Sequence, residues 1–554
     1  MRRGPDSYRS YSIVVDTSHE YAPAQEPITI CVFSTVLALR GDHVQAQPLQ
    51  AENDQSFLCW NGEAWQYHDE VISGNDAEHV FKRLSSVSTT NETLSANCIT
   101  EVIAGIAGPF AFVYFDARSQ QLFYGRDRIG RRSLLFKPLP DGGLALCSIA
   151  ENSTFSAWEE VEVGGIEVLK LASLQLDHEH LPWPSKFPSI NLSLPPSPME
   201  TPDVSPSTVN KLHQYLLSSL HRRVVNVPPT VFGPSCLTGQ VRRIGILFSG
   251  GLDCTLLARL AHEQLPLSEP IDLLNVAFEN PRSPAASEQG TNLYELCPDR
   301  KTGRASWHQL YHICPGREWR FVAINVSFSE SQQERDTVVR LMAPHNTEMD
   351  LSIALALYFA ARGRGEVMLD TSQMTYQYET QAQVLLSGLG ADELFAGYTR
   401  HATAAGRGGL QALLRELELD FQRLGQRNLG RDDRVISHWS KEVRYPYLDE
   451  DLVSWALNLP VWEKCGFRSN SLQPQPDTQP DEAVSSCGPI GLSEIMLEPA
   501  KKLLRLLALR LDMREVANER KRAIQFGART AKMHLTKKRC QTKGTDPVFL
   551  AQHR

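Results

Sequence analysis

The chain has 554 residues, of which 42% are hydrophobic and 22% are charged, and its formal net charge is −8. At roughly 100–200 residues per domain this length corresponds to about two to four domains, and the composition is that of soluble globular proteins. The charge gives no reason to expect nucleic acid or an anionic membrane as a partner. The 11 cysteines are scattered, without a CxxC pair or a short His/Cys cluster, which argues against a zinc site and a disulfide framework.

The sequence contains no obvious targeting or membrane segment. No apolar run reaches about 18 residues, the length that a membrane span requires. Residues 1–6 include two arginines, but no apolar stretch follows them, unlike in a secretory signal. We therefore expect a cytoplasmic protein without a membrane partner.

Residues 1–185 are predicted to be rich in strands. Apolar runs at 28–33 and 144–148 predict two of these strands. The aromatic run at 109–116 and the segment 121–125 are separated by a polar turn and predict a β-hairpin.

Residues 186–208 are rich in proline and serine and are predicted to be an interdomain linker. A helix is expected to start near Ser207. Four apolar residues then fall on one helical face, namely Leu212, Tyr215, Leu216 and Leu220.

From Arg243 onwards, strands and helices are predicted to alternate, so residues 209–554 are expected to form a parallel sheet flanked by helices. The predicted strands are 244–248, 273–278 and 384–386, and the predicted helices start at 255 and cover 352–361. The polar stretch 468–490 is predicted to be a mobile loop. The basic tail after Lys532 is predicted to be solvated and frayed.

A glycine-rich turn between a predicted strand and a predicted helix is a candidate phosphate loop. Its sequence is Ser249-Gly250-Gly251-Leu252-Asp253-Cys254. Glycine lets the backbone approach an anion, and a helix start offers free N–H groups and the positive end of a dipole. A carboxylate beside phosphates requires a cation, so Asp253 is predicted to bind Mg²⁺. No GK[ST] follows, so this is not a Walker A loop. An ordinary tight turn is the alternative.

A second glycine-containing loop follows the predicted strand 384–386. It reads Ser387-Gly388-Leu389-Gly390-Ala391-Asp392-Glu393. Asp392 is predicted to face Asp253 across a metal ion and a pyrophosphate group. Acidic capping of a helix N-terminus is the alternative for this loop.

The two loops together resemble the SGGxDS and SGxGADE loops of the asparagine synthetase and β-lactam synthetase family. Segments 444–449, 502–505 and 519–526 are similar to that family's R-x-P-F-L-D, K-x-L-L-R and late lysine segments. Short N-terminal motifs follow the order of the family's class II glutamine amidotransferase domain, namely 3–6, 61–63, 110–112 and 125–127. The resemblance covers nearly the whole chain.

The resemblance implies an α+β N-terminal glutaminase-like domain, a β sandwich of the Ntn type, and then an α/β parallel-sheet PP-loop ATP pyrophosphatase domain. It implies that a carboxylate such as aspartate attacks the α-phosphate of ATP, and that ammonia from glutamine displaces AMP. Mg²⁺ would be bound by Asp253 and Asp392, and Lys521 and Asp392 would be catalytic. An exposed charge is the alternative for Lys521. The implied ATP and pyrophosphate contacts are Leu247, Ser249, Gly250, Gly251, Leu252, Asp253, Cys254, Val276, Ser387 and Gly388.

The start of the sequence departs from the family pattern. The family's amidotransferase domain begins with a cysteine directly after the initiator methionine; its thiolate attacks glutamine, and its own α-amino group is the base. Here Arg2 stands at that place. Cys31 and Cys59 lack a free α-amino group and are not expected to substitute. Because loss of a nucleophile costs on the order of 10⁶ in kcat, we expect no glutamine hydrolysis by this chain.

Residues that match the family's glutamine-binding positions are nevertheless present, namely Asn61, Gly62, Glu63 and Asp76. Asp76 lies where the family binds the α-amino group of glutamine. The alternative for Asn61-Gly62 is a type I′ hairpin turn, which this dipeptide favours.

A further departure concerns a glutamate that the family places before the helix predicted at 352–361. In this sequence the position falls on Met342, with Glu348 and Asp350 nearby but out of register. Three functions therefore remain open: an asparagine-synthetase-like ligase, an adenylating amidotransferase for another carboxylate, and a nucleotide-binding or interaction protein that makes no asparagine.

Overall fold

The computed structural model describes residues 2–15, 27–150, 158–171, 177–196, 202–228, 244–280, 292–369, 374–468, 497–532 and 544–548. The predicted loop at 468–490 lies outside these ranges beyond its first residue, as does most of the basic tail. Among the described residues, no helix has both the length and the apolar character needed to cross a membrane.

The N-terminal part is built mainly from antiparallel strands. Its strands are β1 (Ser7–Val15), β2 (Ile28–Val36), β3 (Leu49–Gln50), β4 (Phe57–Gly62), β5 (Gln66–Tyr67), β6 (Glu70–Val71), β7 (Ile106–Ala107), β8 (Phe110–Asp116), β9 (Gln121–Arg126), β10 (Leu135–Pro138), β11 (Leu144–Cys147), β12 (Glu159–Glu160), β13 (Gly165–Lys170) and β14 (Asp177–Pro182). Its helices are α1 (Asp76–Val87) and α2 (Glu92–Ala104). The predicted strands at 28–33 and 144–148 and the predicted hairpin, formed by β8 and β9, are confirmed.

A six-stranded sheet in the order β14-β13-β9-β8-β4-β3 separates two hydrophobic layers. Successive side chains in a strand point to opposite faces. Phe112 and Tyr114 of β8 therefore pack with α1 and α2, whereas Phe115 of the same strand packs with Ile13 and Val15 of β1. The alternating pattern of these strands thus reflects burial on both faces.

The C-terminal part surrounds a seven-stranded sheet. Its elements are α3 (Pro206–Val224), β15 (Ile244–Leu247), α4 (Leu252–Gln264), β16 (Ile271–Phe278), α5 (Pro298–Ile313), β17 (Trp319–Val326), α6 (Phe328–Met342), α7 (Glu348–Arg362), β18 (Arg364–Leu369), β19 (Met374–Glu379), β20 (Val384–Leu386), α8 (Ala391–Phe395), α9 (Thr399–Gln422), a π-helix (Gly425–Leu429), α10 (Gly430–Ser437), β21 (Glu442–Arg444), a 3₁₀ helix (Pro446–Leu448), α11 (Glu450–Asn458), α12 (Val461–Lys464), α13 (Lys502–Arg510), α14 (Arg514–Asn518), α15 (Ile524–Gly527) and a second 3₁₀ helix (Thr530–Lys532).

The sheet order is β19-β18-β17-β16-β15-β20-β21. The five strands from β17 to β21 in this order pair in parallel, as predicted. The prediction of an all-parallel sheet is wrong at one edge, where β18 pairs antiparallel with β17 and with β19. The sheet is therefore mixed, because β18 and β19, which the sequence did not predict, follow α7 and pair antiparallel at this edge.

The predicted linker leads into α3 at the expected place. Ser205 is the N-cap of this helix, and its hydroxyl accepts a hydrogen bond from Thr208 N at 3.1 Å. The predicted apolar face is confirmed, since Leu212, Leu216 and Leu220 are fully buried. The linker itself lies against the C-terminal part, where Asn191 N donates to Leu457 O at 2.8 Å.

Candidate functional site

The two glycine-containing loops leave the same edge of the seven-stranded sheet. They do so because β15 and β20 are parallel neighbours, and each loop follows the carboxyl end of its strand. A Cβ on Gly388 would lie 2.9 Å from the Cβ of Asp253, so the loops pack directly against each other. Gly250 has a φ of 80°, and a Cβ there would lie 2.4 Å from Gly303 N. The first loop therefore needs glycine at this position.

Asp253 and Asp392 are brought together, as the sequence predicted. The Nζ of Lys501 lies 2.6 Å from Asp253 Oδ2 and 2.6 Å from Asp392 Oδ1. Lys521 binds the other oxygen of Asp392 and lies 4.9 Å from the centroid of the Tyr398 ring. Lys521 is therefore part of the cavity wall rather than a free surface charge.

Opposite charges in this cluster stabilise each other's charged forms. Burial acts to raise the pKa of Asp392, but the ammonium groups of Lys501 and Lys521 hold it well below its usual range. Burial acts in the opposite direction on Lys501, and the carboxylates of Asp253 and Asp392 nevertheless hold its pKa above the usual value. Asp392 and Lys501 are consequently both charged near neutral pH.

The cluster has few donor atoms for a metal ion. In the described part of the chain, no group of three or more His, Cys, Asp and Glu residues could hold a metal. Mg²⁺ is commonly held by only one or two carboxylates, with substrate phosphates and water completing its shell. Asp253 Oδ1 is buried without a hydrogen-bond partner among the described residues, which leaves one oxygen for such a ligand. The donor set therefore fits Mg²⁺ bound together with a phosphate-bearing substrate.

A cavity of about 620 Å³ opens beside the two loops. Of the ten residues predicted to contact ATP and pyrophosphate, the lining includes Leu247, Ser249, Gly251, Leu252, Asp253, Cys254, Val276, Ser387 and Gly388. Gly250 lies behind them, where it packs on Gly303 of α5. The predicted contacts are thus grouped around one space, and their roles remain predictions.

Sequence reasoning missed Lys501. The K-x-L-L-R resemblance was assigned from Lys502, whereas the structure places Lys501 in the cavity and pairs Lys502 with Asp203 at the surface. The signal was present, because 501–505 reads K-K-L-L-R and fits the motif with Lys501 in first place.

Asp299 was also missed. It lines the cavity from the first turn of α5, and a Cβ on Gly527 would lie within 2.1 Å of its carboxylate. Burial raises the pKa of Asp299 to about 7, with the nearby Arg522 opposing the shift.

The position matched to the family's glutamate does not contribute a side chain to this cavity. Met342 is fully buried at the end of α6. The acid that lines the cavity from this part of the chain is Asp350, whose Oδ1 lies 2.6 Å from Arg431 Nη1. Glu348 starts α7 and is absent from the described lining.

The residues predicted to bind glutamine surround a second cavity, of about 580 Å³, in the N-terminal part. Asn61, Gly62, Glu63 and Asp76 all line it. The alternative of an Asn-Gly hairpin turn is wrong, since β4 pairs with β3 and β8 and β5 pairs with β6 and β7. Gly62 has a φ of 147°, and a Cβ there would lie 2.0 Å from Pro109 O.

The two acids of this second cavity are buried. Asp76 accepts hydrogen bonds from Ala64 N at 2.7 Å and from Trp60 Nε1 at 3.3 Å, and burial raises its pKa. Burial raises the pKa of Glu63 to about 7, although the guanidinium of Arg444 opposes this shift. Burial also raises the pKa of the Cys59 thiol to about 11. A thiol with so high a pKa is a poor nucleophile at neutral pH.

Buried ion pairs join the two parts of the chain between the cavities. Glu63 binds Arg444, whose carbonyl oxygen accepts a hydrogen bond from Ser387 N at 3.0 Å. Glu450 accepts hydrogen bonds from Gly108 N at 2.8 Å and from Arg131. A lining residue of one cavity is thus two contacts away from a lining residue of the other.

Comparison with known proteins agrees with this two-part arrangement. A glutamine amidotransferase domain model matches residues 35–152, and an asparagine synthase model matches residues 367–413 and 405–466. The fold and the sites therefore define a protein with a glutamine amidotransferase domain followed by an asparagine synthase domain.

Comparison with individual proteins identifies a more specific family within this class. "Asparagine synthetase domain-containing protein 1" of Bos taurus is 32% identical over 98% of this chain and 93% of its own length. "Asparagine synthetase domain-containing protein YML096W" of Saccharomyces cerevisiae is 32% identical over 90% of this chain and 84% of its own. Human "Asparagine synthetase [glutamine-hydrolyzing]" is 25% identical over 83% of this chain and 72% of its own. The chain belongs to the family of asparagine synthetase domain-containing proteins.

Proposed function

We propose that this protein is an ATP-dependent, asparagine-synthetase-like ligase that activates a carboxylate as an acyl-adenylate for amide formation. The observation that supports this most is the contact of Asp253 and Asp392, from two separate loops, with the single ammonium group of Lys501. Two opposed carboxylates with Lys501 between them and Lys521 beside Asp392 fit a pyrophosphate group and Mg²⁺.

The chemistry assigns a task to each group of residues. A substrate carboxylate attacks the α-phosphorus of ATP, and the bond to pyrophosphate breaks. Lys501 and Lys521 stabilise the negative charge that develops on the phosphate oxygens, and the backbone N–H groups of the two loops position them. Asp253 and Asp392 would hold Mg²⁺, which would supply further charge neutralisation there. An amine or ammonia then attacks the acyl carbon, and AMP leaves.

The wall of the cavity formed by α9, the π-helix and α10 supports an anionic substrate. Four arginines line it, namely Arg400, Arg423, Arg427 and Arg431. The carboxylates beside them are Asp350, Asp420 and Asp432. Arg423 has no ion-pair partner among the described residues, so the wall keeps a positive charge for a carboxylate. We propose that the carboxylate substrate binds on this side.

The same proposal covers the finer architecture. Residues 1–185 would be a class II glutaminase-like domain of the Ntn type, and 209–554 an ATP pyrophosphatase domain of the PP-loop type, acting in the cytoplasm. Asn61, Gly62, Glu63 and Asp76 would bind glutamine. The high pKa of Cys59 is consistent with binding without hydrolysis at this thiol.

The decisive experiment is pyrophosphate release from MgATP with aspartate and ammonium, followed by a panel of other carboxylates. We expect release that depends on one carboxylate and is lost in Asp253→Asn. No release with any carboxylate, in a protein that still binds MgATP, would replace the proposal with a nucleotide-binding protein that makes no asparagine. Glutamate release from glutamine is measured in parallel, and none is expected from attack by the Cys59 thiol, because its pKa is about 11.

The non-catalytic alternative has an observation of its own. The position that corresponds to the family's glutamate is occupied by Met342, which is buried away from the cavity. Asp350, the acid that lines the cavity from this part of the chain, is paired with Arg431. The carboxylate panel separates the two functions, because a ligase needs a substrate and a nucleotide-binding protein does not.

A further inference from the structure

The segment 544–548, near the end of the chain, packs beside the cavity of about 620 Å³ that adjoins the two glycine-containing loops. The sequence predicted a solvated and frayed tail after Lys532; Gly544, Thr545 and Pro547 are indeed exposed, but the backbone of this segment is hydrogen-bonded to the fold rather than frayed. Val548 is 3% exposed and belongs to the main hydrophobic core. Pro547 forms an antiparallel bridge with Thr347. The segment is therefore a part of the fold.

The contacts of this segment are made with the N-terminus of α7. The first N–H groups of a helix have no intrahelical partner and need other acceptors. Glu348 N donates to Asp546 O at 2.9 Å, and Met349 N donates to Gly544 O at 2.9 Å. In return, Val548 N donates to Asn346 O at 2.6 Å.

The remaining N–H groups of this helix end are satisfied locally. Asp350 N donates to the hydroxyl of Thr347, the N-cap, at 3.2 Å, and Leu351 N donates to Thr347 O at 3.0 Å. In the first turn of α7, two N–H groups thus donate to the N-cap Thr347. The other two donate to the segment 544–548, which lies almost 200 positions further along the chain.

The helix end completed in this way lies in the cavity wall. Thr347, Met349 and Asp350 line the cavity, as do residues of the next turns of α7. Asp350 accepts a hydrogen bond from Thr347 through one oxygen and contacts Arg431 Nη1 at 2.6 Å through the other. Asp432 Oδ1 accepts from Arg431 Nε at 2.9 Å and from Nη2 at 2.8 Å, so the first turn of α7 fixes the Nη1 side of this guanidinium on the proposed carboxylate side.

We propose that residues 544–548 are a positioning segment for the carboxylate substrate: by completing the N-terminus of α7 they hold Asp350 against Arg431. The substrate half of this statement depends on the proposed function, whereas the structural half does not. The phosphate loops are reached from other elements, β15 and β20, so nucleotide binding is expected to be independent of the segment.

The test compares three versions of the protein: the full chain, a chain that ends at residue 543, and a chain that ends at residue 548 as the matched control. Amide hydrogen exchange is followed for Glu348 and Met349, with the amide of Leu394 in α8 as an internal reference. We expect exchange at Glu348 and Met349 to become on the order of 10-fold faster or more in the chain ending at 543, and to be unchanged in the chain ending at 548.

Two further measurements test whether the packing of this segment causes the effect and whether it alters carboxylate binding. Val548→Asp in the full chain should reproduce the truncation, and Thr545→Ala, at an exposed position, should not. The KM for the carboxylate should rise on the order of 10-fold in the chain ending at 543, with the Kd for MgATP unchanged.

The outcomes separate the two proposals. Equal exchange at Glu348 and Met349 in all three chains would overturn the positioning segment, whatever the activity. Faster exchange with an unchanged carboxylate KM would also overturn it, because the contact would then be structural only. Absence of pyrophosphate release from every version would overturn the proposed function, while the exchange measurement would still decide whether the segment orders α7.

Discussion

Asp392 in the cavity beside the two glycine-containing loops and Asp76 in the cavity of the N-terminal part are both buried aspartates, yet their pKa values move in opposite directions. Asp392 contacts two ammonium groups, and its pKa is held low despite burial. Asp76 accepts hydrogen bonds from neutral N–H groups, and burial raises its pKa. Burial alone therefore does not decide the charge of a site; the presence of a nearby full positive charge does.

The same contrast separates what the two cavities can do. The first holds fixed charges of both signs and suits the binding of phosphates with a cation. The second holds acids with raised pKa values and a thiol that is protonated at neutral pH. It suits the binding of a small polar molecule better than nucleophilic attack on it.

The largest effect on activity is expected when one carboxylate of the charged cluster is removed. Asp253→Asn is expected to lower pyrophosphate release by about 10³-fold or more, because the oxygen left for the metal is replaced by an amide. Asp203→Asn, at an exposed carboxylate paired with Lys502, is the matched control and should keep full activity. Equal rates for the two variants would remove the metal assignment.

The lysine that joins the two loops offers a second, smaller effect. Lys501→Gln is expected to reduce pyrophosphate release by about 10²- to 10³-fold, because it leaves Asp253 without its ammonium partner. Lys502→Gln changes the neighbouring lysine, which points away from the cavity to Asp203. Steady-state rates for this pair of variants test whether Lys501 rather than Lys502 acts in the cavity; the reverse order would contradict the assignment.

In the second cavity, the state of Cys59 can be measured directly. With a pKa of about 11, Cys59 should react with iodoacetamide on the order of 10²-fold more slowly near pH 8 than an ordinary thiol does. Cys31 is exposed and is the internal control. Mass spectrometry of the alkylated peptides reports both rates, and rapid labelling of Cys59, which is partly exposed to the cavity, would mean that its pKa is not raised as described.

The smallest expected effect concerns Asp299, which belongs to the first cavity but behaves like the acids of the second. Its pKa rises from 3.8 unfolded to about 7 folded, so the folded protein favours the protonated form. Its contribution to stability is thus fully present below about pH 4 and is lost as the pH rises through 7. Asp299→Asn should therefore exceed wild type in free energy of unfolding by about 2 kcal/mol at pH 8 and match it at about pH 3 or below.

This prediction is checked by urea unfolding of both proteins at the two pH values. The protein at the lower pH is the control, because Asp299 is protonated there in both the folded and the unfolded state. A variant that is less stable than wild type at pH 8 would indicate that Asp299 is ionised in the fold and paired with Arg522.

Much of the first cavity could be predicted from the sequence. Each loop combines an apolar strand, glycines and an aspartate within a few neighbouring residues, and residues this close in the chain determine the local backbone conformation themselves. The same reason explains why the strands, the hairpin of β8 and β9 and the apolar face of α3 were predictable. The spacing of apolar residues along the sequence indicates which positions are buried.

Only the tertiary structure decided which distant residues complete the sites. A motif search finds Lys501 and Lys502 together, but adjacent residues at a helix start point in different directions, and only one reaches the aspartates. Asp299, the contact of Glu63 with Arg444, and the docking of 544–548 on α7 all join segments that are far apart in the chain. Their positions follow from how the sheets and helices pack, and packing is a property that no local pattern encodes.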